Sequence, residues 1–219
     1  MKNILIFLTT VLIIVSCRQT TKTNEKEVAD QLCNCFHENT GVSIDTRLSP
    51  CIDKIISSNQ QLIKEKYNNV PGDSAIKIFS SKVMLSMVEN CDEFYVEIND
   101  MYYNMYQADT SENIKKEIIR LSLAQADKVN SDSIVYDLHK LTRLQLQARD
   151  FQNAISTSKK ILEIKPNEAG AYLALGYAYN GLREYDEAIK YLDKAILINN
   201  NKDYLILKAI TLRRKKNAL

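Results

Sequence analysis

The chain has no tryptophan and, in 219 residues, only 2 histidines, 5 glycines and 3 prolines. Scarce glycine and proline remove the punctuation of a turn-rich β fold and the composition of a disordered one, so helices are expected. The two histidines, His37 and His139, offer little general acid–base chemistry, and no glycine-rich phosphate loop, H-E-x-x-H or G-x-S-x-G motif occurs. Paired carboxylates such as Asp92-Glu93 fall on a predicted solvated helix face. The sequence therefore reads as a non-enzyme without a cofactor. It also lacks an apolar run of the roughly 20 residues that a spanning helix needs. Hydrophobic residues make up 45% and charged residues 26%, ordinary values for a globular chain.

What is present begins at the first residue. Lys2 supplies a positive charge, and residues 4–15 form an uncharged, mostly aliphatic run broken only by Thr9 and Thr10, the shape of a secretory signal. Ile14-Val15-Ser16-Cys17 resembles the lipobox of bacterial lipoproteins: a branched aliphatic residue, a small residue before the cut, then the cysteine that receives diacylglycerol. The resemblance implies removal of residues 1–16 and lipidation of Cys17, by palmitate-type chains, on a membrane of the cell envelope. Two or three acyl chains anchor stably where one does not. Residues 17–25 are polar and read as a solvated tether. An exported chain is not expected to meet nucleic acid.

With Cys17 lipidated, Cys33, Cys35, Cys51 and Cys91 remain, an even set that suggests two disulfides in an oxidising compartment. Cys33 and Cys35 lie on a helix-like stretch, residues 25–37, with the apolar stripe Val28, Leu32 and Cys35 or Phe36. Residues two apart point about 200° from each other around a helix, so these two should reach different partners. A second helix is predicted from Ser49 as N-cap and Pro50 at the first position, carrying Cys51, Ile55, Ile56, Leu62 and Ile63 to the turn at 70–73. A third, long helix has Ile76, Phe79, Val83, Met87, Cys91, Phe94, Ile98, Tyr102 and Met105 at steps of three and four. One of Cys33 and Cys35 is expected to reach Cys51 and the other Cys91; both pairings are open. Rival readings are a Cys33-x-Cys35-x-His37 metal cluster, a redox-active pair, and four free buried thiols.

Self-comparison is more informative still. Residues 150–155, Asp-Phe-Gln-Asn-Ala-Ile, match residues 184–189, Glu-Tyr-Asp-Glu-Ala-Ile, at an offset of 34. Residues 169–202 meet the pattern of the tetratricopeptide repeat with Tyr172, Leu175, Gly176 and Tyr179 on a first helix and Ala188, Leu192 and Ala195 on a second, Asn200 replacing the closing proline. Residues 135–168 follow more loosely, with Leu138, Leu141, Ala154, Ile161 and Pro166; Thr142 stands where glycine is usual and Gln145 where tyrosine is usual. Residues 203–216 begin a third unit that reads as a cap. Ile114, Ile118, Leu121, Ala124 and Val129 have the spacing to cover the opposite end and to weld the cysteine domain to the repeats.

The predicted fold class is all-α: a small disulfide-stapled bundle followed by a short solenoid with a capping helix. Its parts are a signal (1–16), a lipidated tether (17–25), a four-cysteine domain (26–108), a connecting helix (109–134) and repeats with cap (135–219). The resemblance to tetratricopeptide repeats implies a protein-binding groove lined by Tyr136, His139, Arg143 and Leu146, then Leu173, Tyr177 and Asn180, then Tyr204, Leu207, Thr211 and Arg214. His139 and Leu173 replace the Lys and Asn of the family's carboxylate clamp. Residues 18–134 carry 13 basic against 18 acidic residues and residues 135–219 carry 15 against 9. The two halves either dock on each other or leave the basic half for an acidic partner. Arg213 to Lys216 reads as charge favoured at a helix C-terminus or as a contact for anionic headgroups. The expected function is a membrane-anchored scaffold or adaptor binding an envelope protein or peptide segment. The alternative is a ligand-sensing or metal-binding lipoprotein acting through its cysteine domain.

Overall fold

The computed structural model describes residues 24–41, 43–106, 108–124 and 131–218. The signal segment, Cys17 and Val129 lie outside the described residues. Among the described residues every regular element is a helix, and none is long and apolar enough to cross a membrane.

Helix α1 (Glu25–Glu38) starts where the Asn24 side chain accepts from the N–H groups of Lys26 and Glu27, with Glu25 and Glu27 favourably placed in the first turn. Its stripe Val28, Ala29, Leu32 and Phe36 is buried. Helix α2 (Ile44–Ser58) begins earlier than predicted. A reciprocal capping box between Ser43 and Thr46 sets its start, and Pro50 falls inside the helix. The expected run through Ile63 divides at Asn59, whose Nδ2 donates to the carbonyl of Ile55 at 2.8 Å, and α3 (Gln60–Lys66) follows. The predicted third helix is likewise two, α4 (Gly72–Asn90) and α5 (Asp92–Tyr103), with Cys91 in extended backbone between them. Asp92 and Glu93 give the new N-terminus the negative charge it favours.

Cys33 bonds to Cys91 and Cys35 to Cys51, one of the two pairings left open by the sequence. Helix α1 thus sends its two sulfurs in different directions, one to the α4–α5 corner and one to α2. Beside them is a residue that the sequence did not flag. Arg47 is buried; its guanidinium donates to the carboxylates of Glu93 and Glu97 and, at 2.9 Å each, to the carbonyls of Phe36 and Asn39, and it lies 3.8 Å from the Phe36 ring centre. Four of its five N–H donors thus meet acceptors, two of them carboxylates that balance the buried charge.

The repeats follow the predicted period. Helices α7 (Ser131–Gln147) and α8 (Phe151–Ile164) form the first hairpin, α9 (Ala169–Gly181) and α10 (Tyr185–Ile198) the second, and α11 (Lys202–Ala218) the cap. The hairpin turns are built alike 34 residues apart. Arg149 and Arg183 have φ of 58° and 63°, and the next amides, of Asp150 and Glu184, bond to the carbonyls of Gln145 and Tyr179. A Schellman-type end with a left-handed residue closes both helices. Gly176 is needed where predicted: a Cβ there would lie 2.6 Å from Leu192 Cγ. Gly181 is needed too, because a Cβ would meet the Phe151 ring at 2.5 Å. In the looser first unit Thr142 Oγ1, Gln145 Oε1 and Ser158 Oγ are buried without hydrogen-bond partners.

Helix α6 (Glu112–Ala124) covers the outer side of α7, with Leu121 packed against Leu141 and Leu144 and flanked by Ile114 and Ile118. It caps that end as expected, but the weld to the cysteine domain is made elsewhere. Helix α11 packs on α4 and α5, and one continuous core runs from Phe36, Phe79 and Phe94 to Leu175, Leu207 and Ile210. The basic cluster at the end of α11 serves this join. Arg213 donates to the carbonyl of Val88 at 2.8 Å, to that of Cys91 and to Asp92, and stacks 4.0 Å from the Tyr95 ring centre, while Lys215 pairs with Asp186. The oppositely charged halves therefore dock on each other through Arg213 and Asp92.

Candidate protein-binding groove

The groove positions lie on the first helix of each hairpin and on the cap, α7, α9 and α11, held in register by the small residues at the hairpin crossings. They divide into two sets. Tyr136, 72% exposed, and Arg143 face solvent, and His139, Leu173 and Tyr204 are half-buried. His139 Nε2 lies 3.6 Å from Glu168 Oε1, and its ring fills the space above Gly170. The other set, Leu146, Tyr177, Asn180, Leu207 and Thr211, is buried, and Arg214 is half-buried.

The buried set is covered by the chain itself. The Tyr177 hydroxyl donates to the carbonyl of Tyr103, which also accepts from Arg149 Nη1 at 3.2 Å. The Tyr106 ring stands edge-on to Tyr177 with centres 4.7 Å apart. Arg149 and Arg214 lie over the Tyr103 ring, at 4.5 and 5.2 Å from its centre. Deeper in, a polar chain crosses three helices. Arg214 donates to Asn99 Oδ1 at 2.7 Å and to Asn180 Oδ1 at 3.0 Å, Asn180 Nδ2 to Thr211 Oγ1 at 2.9 Å, and Thr211 Oγ1 to the carbonyl of Leu207 at 2.7 Å. The Tyr102 hydroxyl reaches Asp203 at 3.2 Å. The buried side-chain groups of Tyr102, Tyr177, Asn180 and Thr211 are thereby paired.

Burial sets the acidity of the tyrosines. It pushes the Tyr106 phenol up to about 12 and raises Tyr102, with Asp203 adding to it. Tyr177 is raised by burial, partly offset by the hydrogen bond from Arg149. All three stay protonated across the physiological range, so the Tyr177 and Tyr102 hydroxyls remain donors. The arrangement brings together aromatic rings, arginines and amide groups, with tyrosine and arginine among the residue types that interface hot spots favour.

Sequence reasoning placed the groove helices but missed what occupies half of their surface. Asn99, Tyr102, Tyr103 and Tyr106 from the cysteine domain, and Arg149 from the repeats, were not singled out as site residues. One signal was available: three tyrosines within residues 102–106, in a chain whose groove is itself rich in tyrosine.

Residues 145–210 match the family model for the tetratricopeptide repeat, a stretch running from the end of α7 into α11. This segment carries tetratricopeptide repeats. The chain is similar to a TPR repeat-containing protein of Methanocaldococcus jannaschii, 33% identical over 73 residues, which cover 33% of this chain and 23% of that protein. It is also similar to N-alpha-acetyltransferase 16, the NatA auxiliary subunit, of Mus musculus, 30% identical over 67 residues, 31% of this chain and 8% of that protein. The chain thus spans less than a quarter of the length of these curated relatives. No solved structure matches it. Tetratricopeptide repeats generally bind protein partners.

Proposed function

We propose that this chain is a lipid-anchored scaffold of the bacterial cell envelope that binds a protein or peptide segment through the open part of its repeat groove. The observation that carries the reading is a strip over successive first helices of the repeats and the cap, in which Tyr136 and Arg143 are exposed and His139, Leu173 and Tyr204 are half-buried. Tyrosine and arginine on one face are what interface hot spots favour. The anchor rests on the sequence at residues 1–17: the charged start, the short apolar run and the lipobox-like Ile14-Val15-Ser16-Cys17. The disulfides support an oxidising location in turn, since such bonds persist mainly outside the cytosol.

A metal- or ligand-sensing role for the cysteine domain has less to stand on. All four of its sulfurs are committed to disulfides, and His37 Nδ1 pairs with Glu93 at 2.7 Å. The test is affinity purification of the full-length protein from its own cells, beside variants Tyr136→Ala and Arg143→Glu. These exposed positions can change without disturbing the core, so a folded variant should lose a partner that the parent recovers. Unchanged recovery would count against the groove. The anchor is checked separately by metabolic labelling with a palmitate analogue, which should mark the parent and not Cys17→Ser.

A further inference from the structure

Residues 103–106 sit on the groove as a bound ligand would. Tyr103 ends α5, and the last carbonyls of a helix have no donor within the helix. The Tyr103 carbonyl is satisfied instead by Tyr177 and Arg149 of the repeats. Beyond it, Tyr106 rests edge-on against Tyr177. This recognition uses one main-chain acceptor and two tyrosine rings, features that any peptide with a suitably placed aromatic can supply. Arg143, one helical turn before the buried groove residue Leu146 on α7, is exposed and enters no ion pair among the described residues. The seat is thus cationic at its open side.

We propose that residues 103–106 are a resident stand-in for the partner, and that the partner is an extended protein segment presenting a tyrosine beside a carboxylate. Its ring takes the place of Tyr106 against Tyr177, its backbone carbonyl takes the bonds from Tyr177 and Arg149, and its carboxylate pairs with Arg143. Only the last residue of α5 and the turn after it have to leave. Phe94, Ile98 and Tyr102 stay in the core and keep α5 where it is. The inference rests on the protein-binding reading above and names its ligand. It also sets the competition: a tethered occupant acts at an effective concentration in the range of about 1 mM or more, so an incoming segment meets a groove that is mostly filled.

The test uses the lipid-free full-length mature chain, Cys17→Ser, and a fluorescent peptide Asn-Asp-Met-Tyr-Tyr-Asn-Met-Tyr-Asp, which is residues 99–106 followed by one aspartate. Fluorescence anisotropy is read for the parent, for Tyr106→Ala, and for Tyr106→Leu, which keeps apolar volume in the seat. Both Tyr106 variants, which lack the ring docked on Tyr177, should bind at least about tenfold tighter than the parent. Adding Arg149→Ala or Arg143→Ala to the emptied chain should lower the affinity by about tenfold. A peptide with alanine for its second-last residue should bind none of them. Equal binding by parent and emptied chains, no binding by any, or unfolding of both Tyr106 variants by circular dichroism would overturn the proposal; the last would make the turn a structural part of the core. If the peptide fails while the affinity purification still recovers a partner in a groove-dependent way, the stand-in falls and the scaffold survives. Loss of both sinks the scaffold as well.

Discussion

At the residue scale the clearest contrast is between two glycines. Alanine gains about 1 kcal/mol over glycine within a helix, whereas forcing a methyl into a packed core costs about 1–3 kcal/mol. At Gly72 a Cβ meets nothing within 4 Å, but at Gly176 it would press on Leu192 Cγ and Cδ2. Gly72→Ala should therefore leave stability unchanged or raise it slightly, and Gly176→Ala should lower it by about 1 kcal/mol, read from urea midpoints. The two turn arginines form a second pair. Left-handed backbone costs a side-chain-bearing residue about 1–2 kcal/mol, and part of that is offset by the greater unfolded freedom of glycine. Arg183→Gly should stabilise by about 0.5 kcal/mol. Arg149→Gly relieves the same backbone but gives up the bonds to Tyr103 and Tyr177, and a charged hydrogen bond contributes about 1.5–3 kcal/mol, so a net loss is expected.

At the scale of elements, the disulfides and one acidic residue decide how firmly α1 is held. The Cys33–Cys91 link spans 58 residues and Cys35–Cys51 spans 16. Loop entropy then assigns about 4 and about 3 kcal/mol respectively, so Cys33→Ser with Cys91→Ser should lower the denaturation midpoint further than Cys35→Ser with Cys51→Ser. Glu25 ties the start of α1 to the end of α3, at Lys66 and the capping Tyr67. Burial alone would raise its carboxyl, but hydrogen bonds from Lys66 and from the Tyr67 hydroxyl, at 2.8 Å, outweigh that and bring it from 4.5 down to about 2. A depressed folded value means the contribution is complete above the unfolded value and drains away as pH falls from about 5 toward 2. Glu25→Gln should flatten the acid limb of the melting temperature against pH; an unchanged limb would show that this carboxylate is not responsible.

Elements also show what was legible beforehand. The 34-residue offset was readable because both hairpins need small residues at their crossing and the same turn, so chemistry repeats where geometry repeats. The helix breaks at Asn59 and Cys91 were not, because the apolar spacing of three and four continues across them; what interrupts the helices is a side-chain bond in one case and a covalent corner in the other. Arg47 was invisible for a related reason. Its worth comes from four acceptors brought together by folding, none of them its neighbour on a predicted helix face. The groove positions could be assigned to a face of a helix, but periodicity says nothing of which other part of the chain lies on that face.

The whole molecule is organised by α11, which closes the repeat stack on one side and completes the core of the cysteine bundle on the other. Two hairpins alone fall short of the three or more repeats that independent stability usually takes, and the bundle supplies the missing surface. Thermal unfolding should accordingly be one transition for repeats and bundle together, followed by tryptic cleavage in each half. Replacing Arg213 and Arg214 together by alanine should lower the midpoint for both halves alike. Two separated transitions in the parent would mean that the shared core contributes little.

The corner at Cys91 has a mechanical consequence. Tension applied between the start of α1 and the cap helix passes first through the sulfur–sulfur bond of Cys33 and Cys91, which does not yield. It then crosses to α11 through the bonds that Arg213 makes to Val88, Cys91 and Asp92. Along this route the yielding point is the arginine and not the staple, so under load the solenoid would peel from a bundle that keeps its own shape.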